Sequence, residues 1–453
     1  MAKLQAVKAP EPPKSPAYLV NAVRKPIQDF IHTQQIGAII LLLGAVAALG
    51  WVNSPWAHTY EDFWHTHIAF DIHIFGISED LKHLVNDGLM AVFFFLVGLE
   101  IRRELRHGEL STFRKAALPA FAAIGGMVVP AAVYLLFNRS GDGAIGWGIP
   151  MATDIAFALG VLALVGKHIP AELRVFLLGL AVVDDLGAIA VIATFYTDTI
   201  DWLHLGLAVG MFVVIWGCIR LGIRSLGFYI ILFVLMWQYL LESGIHATLA
   251  GVAVAAIVPD QPDLERKDYR KAVELLLHDF ELALERGDTE KAEAITQQVE
   301  KLSRGTEGPL VRLEHMVHPW VSFLILPLFA LANAGIVFTS DTLFEAVNSH
   351  VTIGVVSGLL VGKVIGILGF SWLAVRLGLG QLPSTVHWGH VLGVALLAGI
   401  GFTVAIFVSG IAFDNHALID QSKIGIFGAS LVAGVVGYLI LRFVSPRWSK
   451  QRA

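Results

Sequence analysis

Charge is scarce in this chain. Asp, Glu, Lys and Arg together supply 15% of its 453 residues, while 56% are hydrophobic. That balance excludes a water-soluble globule of this length, and a mean hydropathy of +0.68 points the same way. Cysteine is almost missing: Cys218 is the only one, so no intrachain disulfide forms and the redox compartment is left open. The first residues do not read as a cleaved leader either. Residues 1–34 form a polar stretch bearing Pro and Lys ahead of the first apolar run, which reads as a cytoplasmic tail. No nucleotide motif, metal cluster or nucleic-acid patch stands out, so neither a cofactor nor a nucleic-acid partner is expected.

What is present is a series of apolar runs. Taken at the length needed to cross a bilayer, about 17 to 25 residues, they predict an all-α polytopic membrane protein with about twelve transmembrane helices between residues 35 and 444. The expected spans include Leu84 to Ile101, Ile145 to Val165, Ala171 to Tyr196, Ile245 to Val258, Trp320 to Phe338 and Val391 to Ile411. Lys and Arg gather in every second connection, as at Arg102, Arg103 and Arg106, at Lys167 and Arg174, at Arg220 and Arg224, and at Arg376. The alternate connections hold mainly acids, among them Asp80, Asp142, Asp198, Asp201, Glu242 and Asp414. This alternation follows the positive-inside rule and places both termini, including the tail at 445–453, in the cytoplasm.

Two segments exceed an ordinary connection. In the external one, residues 53–83, Ile68, Phe70, Ile72 and Ile74 alternate with Ala69, Asp71 and His73, which predicts a strand or short hairpin. In residues 260–318, an apolar period at Tyr269, Val273, Leu276, Phe280 and Leu284 halts at Gly287-Asp288 and resumes at Ala292, Ile295 and Val299. A cytoplasmic helical hairpin is expected there, its charges forming a solvated face.

Four charged residues stand out deep inside the spans. Asp184 and Asp185 are consecutive in the middle of one apolar run, where a single central Asp costs roughly 2.5–3.5 kcal/mol to insert. Asp154 lies in the preceding run and Lys363 in a later one. Such placement marks a cation or proton path. Gly354, Gly358, Gly362 and Gly366 recur every four residues and give that later helix a bare face for close packing, which carries Lys363 into the protein interior. Pro150 before Met151-Ala152-Thr153-Asp154, and Gly399-Ile400-Gly401-Phe402-Thr403, mark two broken spans. If the last three helices repeat the third to fifth in inverted topology, these breaks occupy corresponding positions.

The motifs Thr153-Asp154-Ile-Ala-Phe-Ala-Leu-Gly, Val183-Asp184-Asp185-Leu186-Gly187-Ala188 and Gly362-Lys363 resemble the NhaA family of sodium/proton antiporters. Asn86-Asp87-Gly88-Leu89-Met90, Gly98-Leu99-Glu100, His246-Ala247-Thr248-Leu249-Ala250-Gly251, Leu313-Glu314-His315 and His318-Pro319-Trp320 extend the likeness from about Gln35 to Arg442. Inverted-topology repeats with two broken, crossing helices are an established trait of that family. The resemblance implies Na+ and H+, and Li+ beside them, as transported ions. It further implies a bacterial inner membrane and a homodimer joined through the external hairpin.

By the same resemblance Asp184 and Asp185 bind sodium and protons in competition, with Asp185 the principal ligand. Thr153, Asp154 and Lys363 lie at the helix crossing, and Gly399, Gly401 and Thr403 form its second break. Glu100, Arg103, Glu104, Glu314, His315 and His318 are implied as a cluster sensing alkaline pH, with His246 and Asp87 as weaker candidates; a hydrated ion-pair network is the plainer reading. The chain departs from the family pattern in the long segment after Pro259 and in Val364, where a proline is familiar. Two other function classes meet part of the pattern. An intramembrane aspartyl protease needs two carboxylates, and a sodium-coupled organic-anion symporter shares the inverted-repeat scaffold. The first would have to join Asp154 with Asp184, and no Gly-x-Gly-Asp motif occurs.

Overall fold

A chain this apolar satisfies its backbone inside the bilayer by winding into helices. A computed structural model describes residues 34–72, 75–108, 110–166, 169–197, 199–223, 225–262 and 266–452. The tail at 1–33 and the residues His73, Ile74, Lys167, Asp198 and Arg224 lie outside that set. The described helices in chain order are α1 (Gln34–Val52), α2 (Ala57–Trp64), α3 (Leu81–Arg106), α4 (Phe113–Phe137), α5 (Asp142–Met151), α6 (Ile155–Val165), α7 (Ala171–Phe195) and α8 (Trp202–Arg220). They continue with α9 (Leu226–Glu242), α10 (Leu249–Ile257), α11 (Arg266–Glu285), α12 (Thr289–Gly305), α13 (Pro309–Asn333), α14 (Ser340–Asn348), α15 (His350–Arg376), α16 (Trp388–Leu397), α17 (Phe402–Ala412) and α18 (His416–Arg452).

Among the described residues seven helices are long and apolar enough to span a bilayer, and ten spans result if each of three bent pairs counts as one. The chain is thus an all-α polytopic membrane protein, with fewer clear spans than the twelve apolar runs. Two runs account for the difference. Helix α9 has 17 residues. Helix α10 has only nine, because Ser243–Thr248 ahead of it is a turn held by Ser243 and His246 rather than helix.

A hairpin is present in this segment as β1 (His67–Ile72) and β2 (Phe75–Asp80), antiparallel with His67 opposite Asp80 and Ile72 opposite Phe75. It ends on Asp80, which caps α3 by accepting from the His83 N–H at 2.7 Å. The expected helical pair is α11 and α12, turning at Gly287, which sits at φ 68°, and at Asp288, which caps α12. Its small core is Leu276, Phe280, Ala283, Ala292, Ile295 and Val299. The next helix begins at Pro309, earlier than the apolar run at Trp320, so Glu314, His315 and His318 sit on α13 itself. Pro319 does not stop α13, because a π turn at Val321–Ile325 absorbs the disturbance. The final helix continues to Arg452, through residues read above as a tail.

The glycine row on α15 meets α4. A methyl group at Gly362 would stand 2.6 Å from the Pro130 Cα, and one at Gly366 would stand 2.0 Å from the Gly125 carbonyl oxygen. Only bare backbone allows the two axes to approach so closely.

Candidate ion-binding site

Both short bent pairs break for local reasons. Helix α5 is wound as a tight 3-10 helix, held by Tyr134, which donates to the Gly143 carbonyl at 2.6 Å, and by Tyr196, which donates to Ile145 and accepts from the Gly148 N–H. After Met151 the chain turns extended at Ala152. Asp154 then restarts the helix as the N-cap of α6, its Oδ1 accepting from the Phe157 N–H at 3.0 Å. The bend between α5 and α6 is 42°, and that between α16 and α17 is 47°. At the second break Gly399 lets the Leu359 carbonyl come within 2.5 Å of where a Cβ would be.

The two breaks touch. The Asp154 N–H donates to the Ile400 carbonyl at 2.6 Å, and the Thr153 hydroxyl donates to the Ala398 carbonyl at 2.9 Å. In return the Asp154 Oδ2 accepts from the Thr403 N–H at 3.1 Å and from its hydroxyl at 2.6 Å. One carboxylate therefore caps the N-termini of both α6 and α17, where the helix dipoles are positive. The negative end of α5 receives the opposite charge: the Lys363 ammonium donates to the Met151 carbonyl.

Lys363 also donates to the Thr153 hydroxyl at 2.9 Å and to the Asp184 Oδ2 at 2.8 Å, and it is fully buried. Its carboxylate partner is thus Asp184 on α7, not Asp154, whose oxygens are taken by Phe157 and Thr403. Successive helix positions differ by about 100°, so Asp184 and Asp185 face different ways. Asp184 turns to Lys363, leaving its Oδ1 buried without a hydrogen bond. Asp185, 4% exposed, turns to a cavity of about 90 Å³ and accepts no hydrogen bond from any described residue.

That cavity has room for several waters. Its wall carries Glu100, His318 and Ser322 together with Asp185, Thr153, Asp154 and Thr403. Two of the residues expected to sense pH therefore share a cavity with Asp185. Beside it Arg103 pairs with the buried Glu314 and, at 3.4 Å, with Glu104, while His315 is exposed on the same helix as Glu314. Asp87 and His246 are not brought to this cluster. Asp87 lies in a π turn (Leu84–Leu89) at the other end of α3, about 20 Å from Glu100 at 1.5 Å per residue. His246 bonds the Tyr196 carbonyl at 2.7 Å.

The sequence model of the Na+/H+ antiporter 1 family matches residues 28–441. The chain belongs to this family. It is 44% identical over 433 residues to the Na(+)/H(+) antiporter NhaA 2 of Syntrophotalea carbinolica, covering 95% of this chain and 99% of that relative. It is 45% identical over 437 residues to the Na(+)/H(+) antiporter NhaA of Wolinella succinogenes, covering 95% and 96%. The NhaA of Rhodopirellula baltica is 43% identical over 427 residues, covering 94% and 96%. Membership makes the chain an integral, multi-pass protein of a Na+/H+ exchange family, named for transport rather than for an enzyme reaction.

Some parts of the site left no mark in the sequence pattern. Tyr134 and Ser322 each stand singly among apolar residues, and Tyr196 lies at the end of an apolar run where an aromatic is ordinary. Nothing in periodicity or spacing distinguishes them from core or interface positions.

Proposed function

We propose that this chain exchanges Na+ for H+ across a bacterial inner membrane, expelling sodium and also lithium, with Asp185 as the carboxylate over which cation and proton compete. The observation that carries this reading is the cavity. Asp185 is buried on its wall with no hydrogen-bond donor among the described residues, so its charge requires a proton or a cation from the cavity for compensation. Both cannot occupy it at once, which couples the two fluxes. Asp184 is held by Lys363 in the adjoining site, and the crossing of α5/α6 with α16/α17 supplies half-helices free to shift around a fixed centre.

The cavity wall holds Glu100 and His318 together with Asp185, and charge alternation assigns that end of the helices to the cytoplasm along with both termini. Two protonatable units, Asp185 and the Asp184–Lys363 pair, against one cation make the exchange electrogenic. The membrane potential then contributes about 2.3 kcal/mol per charge per 100 mV. Activation at alkaline pH is assigned to Glu100, Glu104, Glu314 and His318 with Arg103 and His315, at the cavity mouth. Homodimerisation is assigned to the β1–β2 hairpin. A protease reading gains nothing from the geometry, since Asp154 and Asp184 are each engaged with different partners.

The test is sodium-induced collapse of a preset pH gradient in sealed vesicles, comparing the native chain with Asp185→Asn. Sodium-dependent proton flux that disappears in the variant is the expected result. An unaffected variant would move the site elsewhere.

A further inference from the structure

The wall of the Asp185 cavity includes one polar side chain given no role above. Ser322 lies on α13 one turn beyond His318, within the π turn, and its neighbours on the cavity wall are Val321 and Leu326. Helical serines and threonines usually return their hydroxyl to a carbonyl of the preceding turn. In this chain Thr194 and Thr296 do so, to Ala190 and Ala292. Ser322 does not. Among the described residues its hydroxyl has no hydrogen-bond partner, although the residue is half-buried.

The wall across from it keeps that hydroxyl uncovered. Gly37 of α1 also lines the cavity, and a Cβ there would stand 3.2 Å from the Ser322 Cβ and 3.9 Å from its Oγ. With glycine the space is left to the cavity. Two other oxygen groups on the same wall, the carboxylates of Glu100 and Asp185, accept no hydrogen bond from described residues either. A half-buried hydroxyl without a protein partner is open to water or a ligand. With two lone pairs, and on the same wall as two carboxyl groups, it suits a hard cation that still holds part of its water shell.

We propose that the Ser322 hydroxyl is a neutral oxygen ligand for a partly hydrated monovalent cation moving between the cavity mouth and Asp185, and that it helps set the apparent affinity for sodium. The assignment rests on the antiport reading given above, with Asp185 as the inner site. Ser322 would stabilise the incoming ion without titrating, so its contribution is the same at every working pH. The charge change stays with the carboxylates.

Ser322→Thr and Ser322→Val are close in shape and differ chiefly in the hydroxyl. The experiment measures sodium-dependent proton flux against sodium concentration in proteoliposomes, with ²²Na+ binding to the purified proteins alongside. Ser322→Val is expected to raise the half-saturating sodium concentration by about 3- to 10-fold, the effect of one lost hydrogen-bonding oxygen. Its maximal rate stays unchanged, the shift is equal at pH 7 and pH 8.5, and Ser322→Thr follows the native curve. Equal half-saturation in the valine variant overturns the proposal. So does an equal defect in both variants, which would make Ser322 a packing residue against Gly37. Loss of sodium-dependent flux in the native chain would instead remove the antiport reading, while ²²Na+ binding would still decide between the two Ser322 variants.

Discussion

Replacing Lys363 by methionine keeps the length of the side chain and removes its charge, which leaves Asp184 stranded. Lys363 is fully buried, Asp184 is 1% exposed, and the 2.8 Å contact between them brings that carboxylate its one charged partner among the described residues. The other oxygen, Oδ1, already lacks a partner. Breaking a buried ion pair from one side costs roughly 3–5 kcal/mol, whereas replacing both partners by uncharged groups of similar size is often close to neutral. Lys363→Met is therefore expected to cost about 3–5 kcal/mol. Asp184→Asn costs less, because the ammonium keeps the Met151 carbonyl and the Thr153 hydroxyl as acceptors. The double variant is expected to be more stable than Lys363→Met alone, with a coupling of about 2 kcal/mol or more. The assay is thermal unfolding of the purified protein in detergent at one fixed scan rate, since membrane proteins of this size rarely unfold reversibly. Strictly additive losses across the three variants would refute the pairing of Lys363 with Asp184.

Further consequences follow from the same contacts. Asp154→Asn keeps the size of the cap but removes the negative charge shared by the N-termini of α6 and α17; a loss of about 1–2 kcal/mol and at least a tenfold fall in exchange are expected, read by unfolding and by vesicle flux. Gly366→Ala drives a methyl group to 2.0 Å from the Gly125 carbonyl and should part α4 from α15 at a cost of about 1–3 kcal/mol, seen as a fall in folded yield, while Gly369→Ala, with nothing within 4 Å, stays native-like. Asp80, outside the spans, has its carboxyl raised by burial but lowered further by the His83 N–H and the His65 and His83 rings, leaving it at about 2. Because the folded value lies below the ordinary one, its stabilisation is full above pH 4 and is lost as pH falls through about 2. Asp80→Asn should accordingly unfold earlier than the native chain at pH 6 by about 1–2 kcal/mol, with the gap closing towards pH 2; a gap constant with pH would contradict the assignment.

The long helices were legible because bilayer length and apolar composition are one-dimensional properties. The Asp184–Asp185 pair was legible because insertion cost depends on position along the chain and not on neighbours in space. The breaks could be read from Pro150 and from the glycines at 399 and 401, since each removes something a continuous helix needs. What the chain does with those features depends on contacts between residues far apart in sequence. Lys363 pairs with Asp184 across 179 positions, and no periodicity distinguishes that partner from Asp154. An apolar run is also compatible with more than one backbone path. The stretch from Ile245 to Val258 has the composition of a span, yet the turn through Ser243 and His246 shortens its helix to nine residues. The π turn that lets α13 continue past Pro319 has no sequence signature of its own, and it is that turn which carries Ser322 on the cavity wall. Position along the chain thus indicates that charge is held in the membrane, while the identity of each charge's partner arises only when α5/α6 and α16/α17 meet, because that meeting takes Asp154 for the helix ends and leaves Asp185 facing the cavity.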